Sequence, residues 1–163
     1  MSEPSPGPDD EVLHRRFGRD LNNATFGLIA ELGPESEARD REQVLYAAFA
    51  STYHWLQVGN EANHARGEYL IAKAALAVGD NVLALAHARR CLELIAAHPA
   101  VMEDWDAPFG YEVLARSLAG TGDQDGATAA IVELERLTEL VADPEDREVI
   151  HSSLEEPPWF GLR

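Results

Sequence analysis

One motif, a Gly-Asp pair followed by a helical run of small and apolar residues, occurs twice in this chain. Residues 79–94 align without a gap on residues 122–137, and each copy follows an apolar segment with helical spacing. Gly-Asp is typical of a tight turn, because glycine adopts backbone conformations that other residues avoid. The Ala, Leu and Ile spacing behind it indicates a helix that packs back on its predecessor. The chain therefore contains a helix-turn-helix hairpin at least twice, which predicts an α-helical repeat protein.

The rest of the sequence also divides into helical segments. Apolar residues recur at steps of three and four between residues 10 and 32, and Gly33-Pro34 ends that segment. Further helices are expected at 37–58, at 61–78 and at about 81–97. A fifth carries Pro108 in its first turn and continues to about residue 119, a sixth spans 124–142, and a last short helix starts at Asp143-Pro144, its N-cap and first proline. The second helix carries one apolar face, formed by Leu45, Phe49, Tyr53 and Leu56. No alternation typical of strands occurs. The predicted fold class is all-α, with about six long helices and a short C-terminal one stacked as antiparallel hairpins.

Length and composition favour a single domain over residues 10–156. A chain of 163 residues buries a sufficient core without disulfides. Residues 1–9 contain three prolines and little apolar content, which predicts a disordered arm. Residues 157–163 form an aromatic tail after Pro157-Pro158. We expect its Trp159-Phe160 pair to fold back on the domain or to contact a second subunit in a homodimer.

The charge and the cysteine content exclude several classes of protein. A net charge of −16 disfavours binding to nucleic acid and to anionic membranes, because both need basic residues. No apolar run approaches the roughly 20 residues of a membrane span. The lone Cys91 excludes an internal disulfide framework and, with no signal-peptide pattern at the start, predicts a cytoplasmic location. Almost all of the basic residues are arginine, with Lys73 the single lysine, and alanine is abundant. This composition favours a GC-rich bacterial genome.

The doubled motif resembles the tetratricopeptide repeat (TPR) family. Counting each Gly-Asp glycine as position 15 of a 34-residue unit gives units at about 65–98 and 108–141, separated by about nine extra residues. The small residues of the family's helix crossings then fall on Ala72, Ala84, Ala115 and Ala127. Glu68 departs from the pattern, since the family has a large aromatic there. The resemblance implies a TPR-like α-α superhelix.

The resemblance also implies a concave groove lined by the first helix of each unit. The groove positions carried over from the family are Arg66, Tyr69, Lys73, Phe109, Glu112 and Arg116. A basic and aromatic groove suits a peptide with a carboxylate, so the predicted function is a non-enzymatic module that binds a protein or peptide, with no catalytic residues and no cofactor. A simpler alternative is that Glu112 pairs with Arg116 and that Arg66 and Lys73 are solvated.

A second set of residues offers an alternative function. His54 and His64 lie five residues on either side of the bend at Gly59, and Glu61 and Glu68 flank His64 at helical spacing. Two imidazoles and two carboxylates at the junction of the second and third helices could hold Zn, Fe or Mn, as in a helical metalloprotein. The competing interpretation is a hydrogen-bonded His-Glu pair.

Overall fold

The computed structural model describes residues 7–162, and every regular element in that range is helical, which confirms the predicted all-α class. A 3-10 turn, Pro99–Val101, separates the fourth helix from the fifth. None of the described helices is long and apolar enough to cross a membrane. The helices are α1 (Pro8–Glu31), α2 (Ala38–Val58), α3 (Glu61–Val78), α4 (Asn81–Ala97), α5 (Asp106–Gly120), α6 (Gln124–Thr138) and α7 (Pro144–Leu154).

The two Gly-Asp pairs adopt the same local structure. Gly79 and Gly122 both have positive φ, at 86° and 92°, in the left-handed conformation that ends many helices. The N–H of Asp80 and that of Asp123 each reach back to a carbonyl of the preceding helix at 2.9 Å. Each aspartate side chain also accepts a hydrogen bond from the first turn of the following helix. Each pair thus ends one helix and starts the next.

The helices pack in sequence order, and the odd-numbered helices also form a layer of their own. Successive helices pack on each other from α1 through α6, while α3 also contacts α1 and α5, and α7 contacts α5. The crossing positions named from the repeat pattern are core positions: Ala72, Ala84, Ala115 and Ala127 are each 0% exposed. Methyl side chains allow the close approach of helix backbones that this packing requires.

The contact between α1 and α2 differs from the sequence expectation. The Ser51 hydroxyl donates to the Gly18 carbonyl at 2.7 Å, and a Cβ built on Gly18 would lie 2.9 Å from the Trp55 ring. Because small residues bring these two backbones together, most of the larger apolar face predicted for α2 turns outward. Tyr53 and Leu56 are 58% and 55% exposed. Apolar spacing identified the helix correctly but did not identify the side that is covered.

Two helix boundaries also differ from the predictions. α1 begins at Pro8, inside the predicted arm, whose residues 1–6 lie outside the described residues. α5 begins at Asp106, and Pro108 lies in its first turn as predicted. α6 ends at Thr138 rather than at 142, because the chain turns there and places Val141, 1% exposed, in the core.

The tail folds back on its own domain. Trp159 is 8% exposed, packs against the core formed by α5, α6 and α7, and donates its indole N–H to the Leu154 carbonyl at 3.0 Å. Phe160 remains 39% exposed. Of the two aromatics considered for a homodimer contact, only Phe160 is therefore on the surface.

Candidate functional site

The six residues predicted to line a groove meet between α3 and α5. Arg66, Tyr69 and Lys73 come from α3, and Phe109, Glu112 and Arg116 come from α5; we call the space that they line the inner groove. The Tyr69 and Phe109 rings lie 5.6 Å apart, and the Lys73 ammonium lies 3.2 Å from the Glu112 carboxylate. Residues that are 36 or more positions apart in the sequence are thus neighbours in the fold.

Glu112 is the centre of the inner groove. Its side chain is fully buried and accepts hydrogen bonds from the Lys73 ammonium and, at 3.4 Å, from the Tyr69 hydroxyl. It also forms an ion pair with Arg116 at 3.0 Å, as the simpler alternative predicted. A buried carboxylate is tolerated only when it is paired and hydrogen-bonded in this way. Burial, followed by the Glu112 charge, raises the pKa of Tyr69 well above its ordinary value, so this hydroxyl stays protonated.

Arg66 closes the opposite end of the inner groove. Its guanidinium donates two hydrogen bonds to the Asp106 carboxylate, at 2.8 and 2.9 Å, and lies 4.3 Å from the centre of the Trp105 ring. Asp106 is 4% exposed and also accepts from the Glu103 N–H at 2.9 Å. Arg66 and Lys73 are therefore both held in ion pairs, and the expectation that they are simply solvated is wrong.

Residues 155–162, the described part of the aromatic tail with the two residues before it, cover the Arg116 end of the groove; we call this segment the tail from here on. Arg116 is 2% exposed, and its guanidinium donates to three main-chain carbonyls, those of Ser153, Glu156 and Pro158, at 2.6, 2.7 and 3.1 Å. The Trp159 ring stacks on the same guanidinium, with its centre 3.9 Å from the central carbon. Hydrogen bonds to carbonyl oxygens and a cation-π contact with the indole ring thus fix the position of the Arg116 guanidinium.

The tail also supplies a charge to the inner groove. Within the groove and its rim the three cations Arg66, Lys73 and Arg116 face two carboxylates, those of Asp106 and Glu112. A third carboxylate, that of Glu156 in the tail, lies 3.7 Å from the Lys73 ammonium. The groove is thus neutral with the tail in place and has one excess positive charge without it.

An open pocket continues the inner face from Arg66 towards α1. It has a volume of about 180 Å³, and besides Arg66 its lining includes Arg19 and Asn22 of α1, Trp55 of α2 and Asn63 of α3. Amide and guanidinium groups can donate to carboxylates or to peptide carbonyls. The sequence did not predict a role for Arg19, Asn22, Trp55, Asn63 or Glu156, because all five lie outside the two repeat units.

The four residues of the alternative metal site do not converge. The His54 ring contacts His14 on α1, with 2.8 Å between the two Nδ1 atoms, while Glu68 is hydrogen-bonded to His87 on α4. The Nε2 atom of His64 is buried without a hydrogen-bond partner. Among residues 7–162, no group of three or more His, Cys, Asp or Glu side chains could hold a metal ion. His54 lies on the side of α2 that faces α1, and its ring packs there against His14 and Phe17.

The contact between His14 and His54 predicts a pH effect. Burial, followed by the charge of His14, lowers the pKa of His54 below 6.5. His54 therefore binds a proton more readily in the unfolded chain than in the folded one. Its contribution to stability is present above pH 6.5 and is lost as the pH falls through the lowered pKa of the folded protein.

NMR titration of the histidine side chains tests this prediction. We expect His54 to titrate at a lower pH in the folded protein than in the same protein unfolded in urea. The variant His14→Asn should raise the folded value part of the way back, because it removes the smaller of the two causes. A His54 that titrates alike in both states, with no response to His14→Asn, would contradict the assignment.

Cys91 is expected to be unreactive. It is 2% exposed on α4, and burial, followed by the charges of Asp106 and Glu68, raises its pKa to about 12. Since the thiolate is the reactive form, a thiol-specific reagent should label the folded protein very slowly at pH 8 and the urea-unfolded protein at once. Fast stoichiometric labelling of the folded protein would show that Cys91 is accessible.

Comparison with known proteins identifies no relative of this chain. The chain matches no protein-family model, and neither a curated protein nor a solved structure is significantly similar to it. The resemblance to the TPR family consequently stays a prediction from the doubled motif.

Proposed function

We propose that this protein is a non-enzymatic interaction module whose inner groove binds an extended segment of a protein partner. The observation that carries the proposal is that Arg116 donates hydrogen bonds to the carbonyls of Ser153, in the last turn of α7, and of Glu156 and Pro158, which follow that helix. These are main-chain groups, which any extended peptide offers whatever its sequence. The inner groove therefore has the chemistry needed to hold a peptide backbone.

Two further features support a peptide as the ligand. Tyr69 and Phe109 supply an aromatic wall, and Lys73 supplies a positive charge that faces the space occupied by the tail. The pocket of Arg19, Asn22 and Asn63 gives a longer segment room to continue along the inner face. We further propose a TPR-like arrangement of the hairpins, on the basis of the doubled motif, and a bacterial cytoplasmic location, on the basis of composition and the lone cysteine.

Peptide selection tests this function without a known partner. A library of random peptides displayed on phage is selected against the full chain, and binders are then measured against the variant Lys73→Gln. We expect selected peptides to carry at least one acidic residue and to lose roughly tenfold in affinity for Lys73→Gln, because the groove loses a charge in a largely buried position.

The matched control is Arg90→Gln, which removes a charge from the exposed surface of α4. It should leave the affinity unchanged. If both variants bind the selected peptides as well as the wild type, the inner groove is not the binding surface and the proposal fails.

A further inference from the structure

The contacts between the tail and the inner groove are those of a ligand with its binding site. Residues 155–162 approach the groove through main-chain carbonyls, through one aromatic ring and through the Glu156 carboxylate. Pro157 and Pro158 have no N–H groups, so this stretch offers carbonyl acceptors to Arg116 and needs few acceptors from the groove in return. Proline also stiffens the segment, which lowers the entropy lost on binding.

The burial of Arg116 limits what can replace the tail. Its guanidinium is 2% exposed, and Glu112 satisfies only part of its hydrogen-bonding capacity. If the tail left without a substitute, a buried cation would lose two carbonyl acceptors, those of Glu156 and Pro158, and its stacking partner, which is costly. The groove is therefore stable when the tail fills it, or when another segment supplies the same groups.

The charge balance specifies the chemistry of that other segment. Without Glu156 the groove has one excess positive charge, located at Lys73 and Arg116. A substitute needs a carboxylate near Lys73 and, three residues further along, an aromatic ring to cover Arg116, as Trp159 does. Proline between the two keeps this stretch free of N–H groups, as Pro157 and Pro158 do in the tail.

We infer that residues 155–162 are an internal ligand of the inner groove, displaced by a partner segment with an acidic residue, proline and then an aromatic residue. This inference rests on the proposed function and names the ligand chemistry and the regulation of the same site. A tethered segment acts at an effective concentration on the order of millimolar. The tail consequently lowers the apparent affinity of the groove for any segment supplied by another molecule.

The test uses the full chain and one defined probe. The probe is a fluorescein-labelled peptide with the sequence of residues 155–163, EEPPWFGLR, and its binding is measured by fluorescence anisotropy. In the variant Trp159→Ala the tail loses its aromatic contact, so the probe should bind at least about tenfold more tightly than to the wild type.

A second variant avoids any folding defect from the loss of Trp159. The Glu156 side chain is 68% exposed, so Glu156→Gln leaves the core intact and removes only the charge near Lys73. It should tighten probe binding about two- to fivefold, in keeping with an exposed ion pair. The matched control Glu155→Gln makes the same chemical change at the adjacent exposed residue and should bind the probe like the wild type.

The outcomes separate the two proposals. Equal affinity of the wild type, Trp159→Ala and Glu156→Gln for the probe would overturn the internal-ligand inference and leave the peptide-binding function standing. Failure of the probe to bind any of these proteins, each shown to be folded by circular dichroism, would overturn both. Tightening in Glu155→Gln equal to that in Glu156→Gln would overturn the role given to Lys73.

Discussion

Replacement of Arg116 by alanine is expected to destabilise the protein by about 3–5 kcal/mol, the usual cost of breaking a buried ion pair from one side. The variant leaves Glu112, which is fully buried, without its closest ion-pair partner, and it leaves the carbonyls of Ser153, Glu156 and Pro158 without their donor. For a domain of this size the corresponding decrease in Tm is on the order of 10 °C. Urea unfolding followed by circular dichroism, together with a thermal scan, measures both values.

The control for this prediction is Arg136→Ala. Arg136 pairs with Glu133 on the surface of α6, at 2.8 Å, with both side chains largely exposed. Because exposed ion pairs contribute little to stability, the unfolding midpoint should be unchanged. Similar unfolding midpoints for Arg116→Ala and Arg136→Ala would show that Arg116 is solvated, and the description of the groove would be wrong.

Replacement of Ala127 by leucine should have the second-largest effect, a loss of about 1–3 kcal/mol from overpacking. Ala127 is 0% exposed where α6 crosses its neighbours, so three additional carbon atoms have no space. The matched control is Ala129→Leu, on the exposed side of the same helix. It should be neutral within about 0.5 kcal/mol, since exposed substitutions usually are.

This comparison is measured by urea unfolding of the two variants beside the wild type. Equal stability of Ala127→Leu and Ala129→Leu would contradict the close helix crossing at Ala127. The result therefore tests the structural role of the doubled motif directly.

Much of the fold could be predicted from local signals in the sequence. Gly79 and Gly122 marked the ends of α3 and α5, and their following aspartates cap α4 and α6. These signals lie within a few residues of the structure they specify, so one sequence is enough to detect them. The repeat spacing also placed Ala127 and its equivalents at buried crossings.

The predictions that failed depend on contacts between distant segments. Helical spacing showed that Tyr53 and Leu56 share a face, but the covered side of α2 was decided by the small residues Gly18 and Ser51. In the same way, nothing near His54 in the sequence indicates that its partner is His14, 40 residues earlier.

In the candidate site, too, local features could be predicted from the sequence and contacts between distant segments could not. The resemblance to the repeat family was enough to name the residues of α3 and α5 that meet in the structure. Their ion pairs and hydrogen bonds could not be predicted, since the acceptors of Arg116 lie 37 to 42 residues further along the chain. The groove predicted to be open and basic is in the structure neutral, and the tail covers its Arg116 end.

If the tail occupies the inner groove as a replaceable ligand, as we infer, the indole N–H of Trp159 reports on its displacement. This N–H is hydrogen-bonded to the Leu154 carbonyl when the tail is bound. In the ¹⁵N-labelled protein, addition of unlabelled EEPPWFGLR peptide should convert the Trp159 indole signal to that of a solvent-exposed tryptophan. A Trp159 signal that stays unchanged while the peptide binds to saturation would show that the tail is a fixed part of the fold, and the claim would be contradicted.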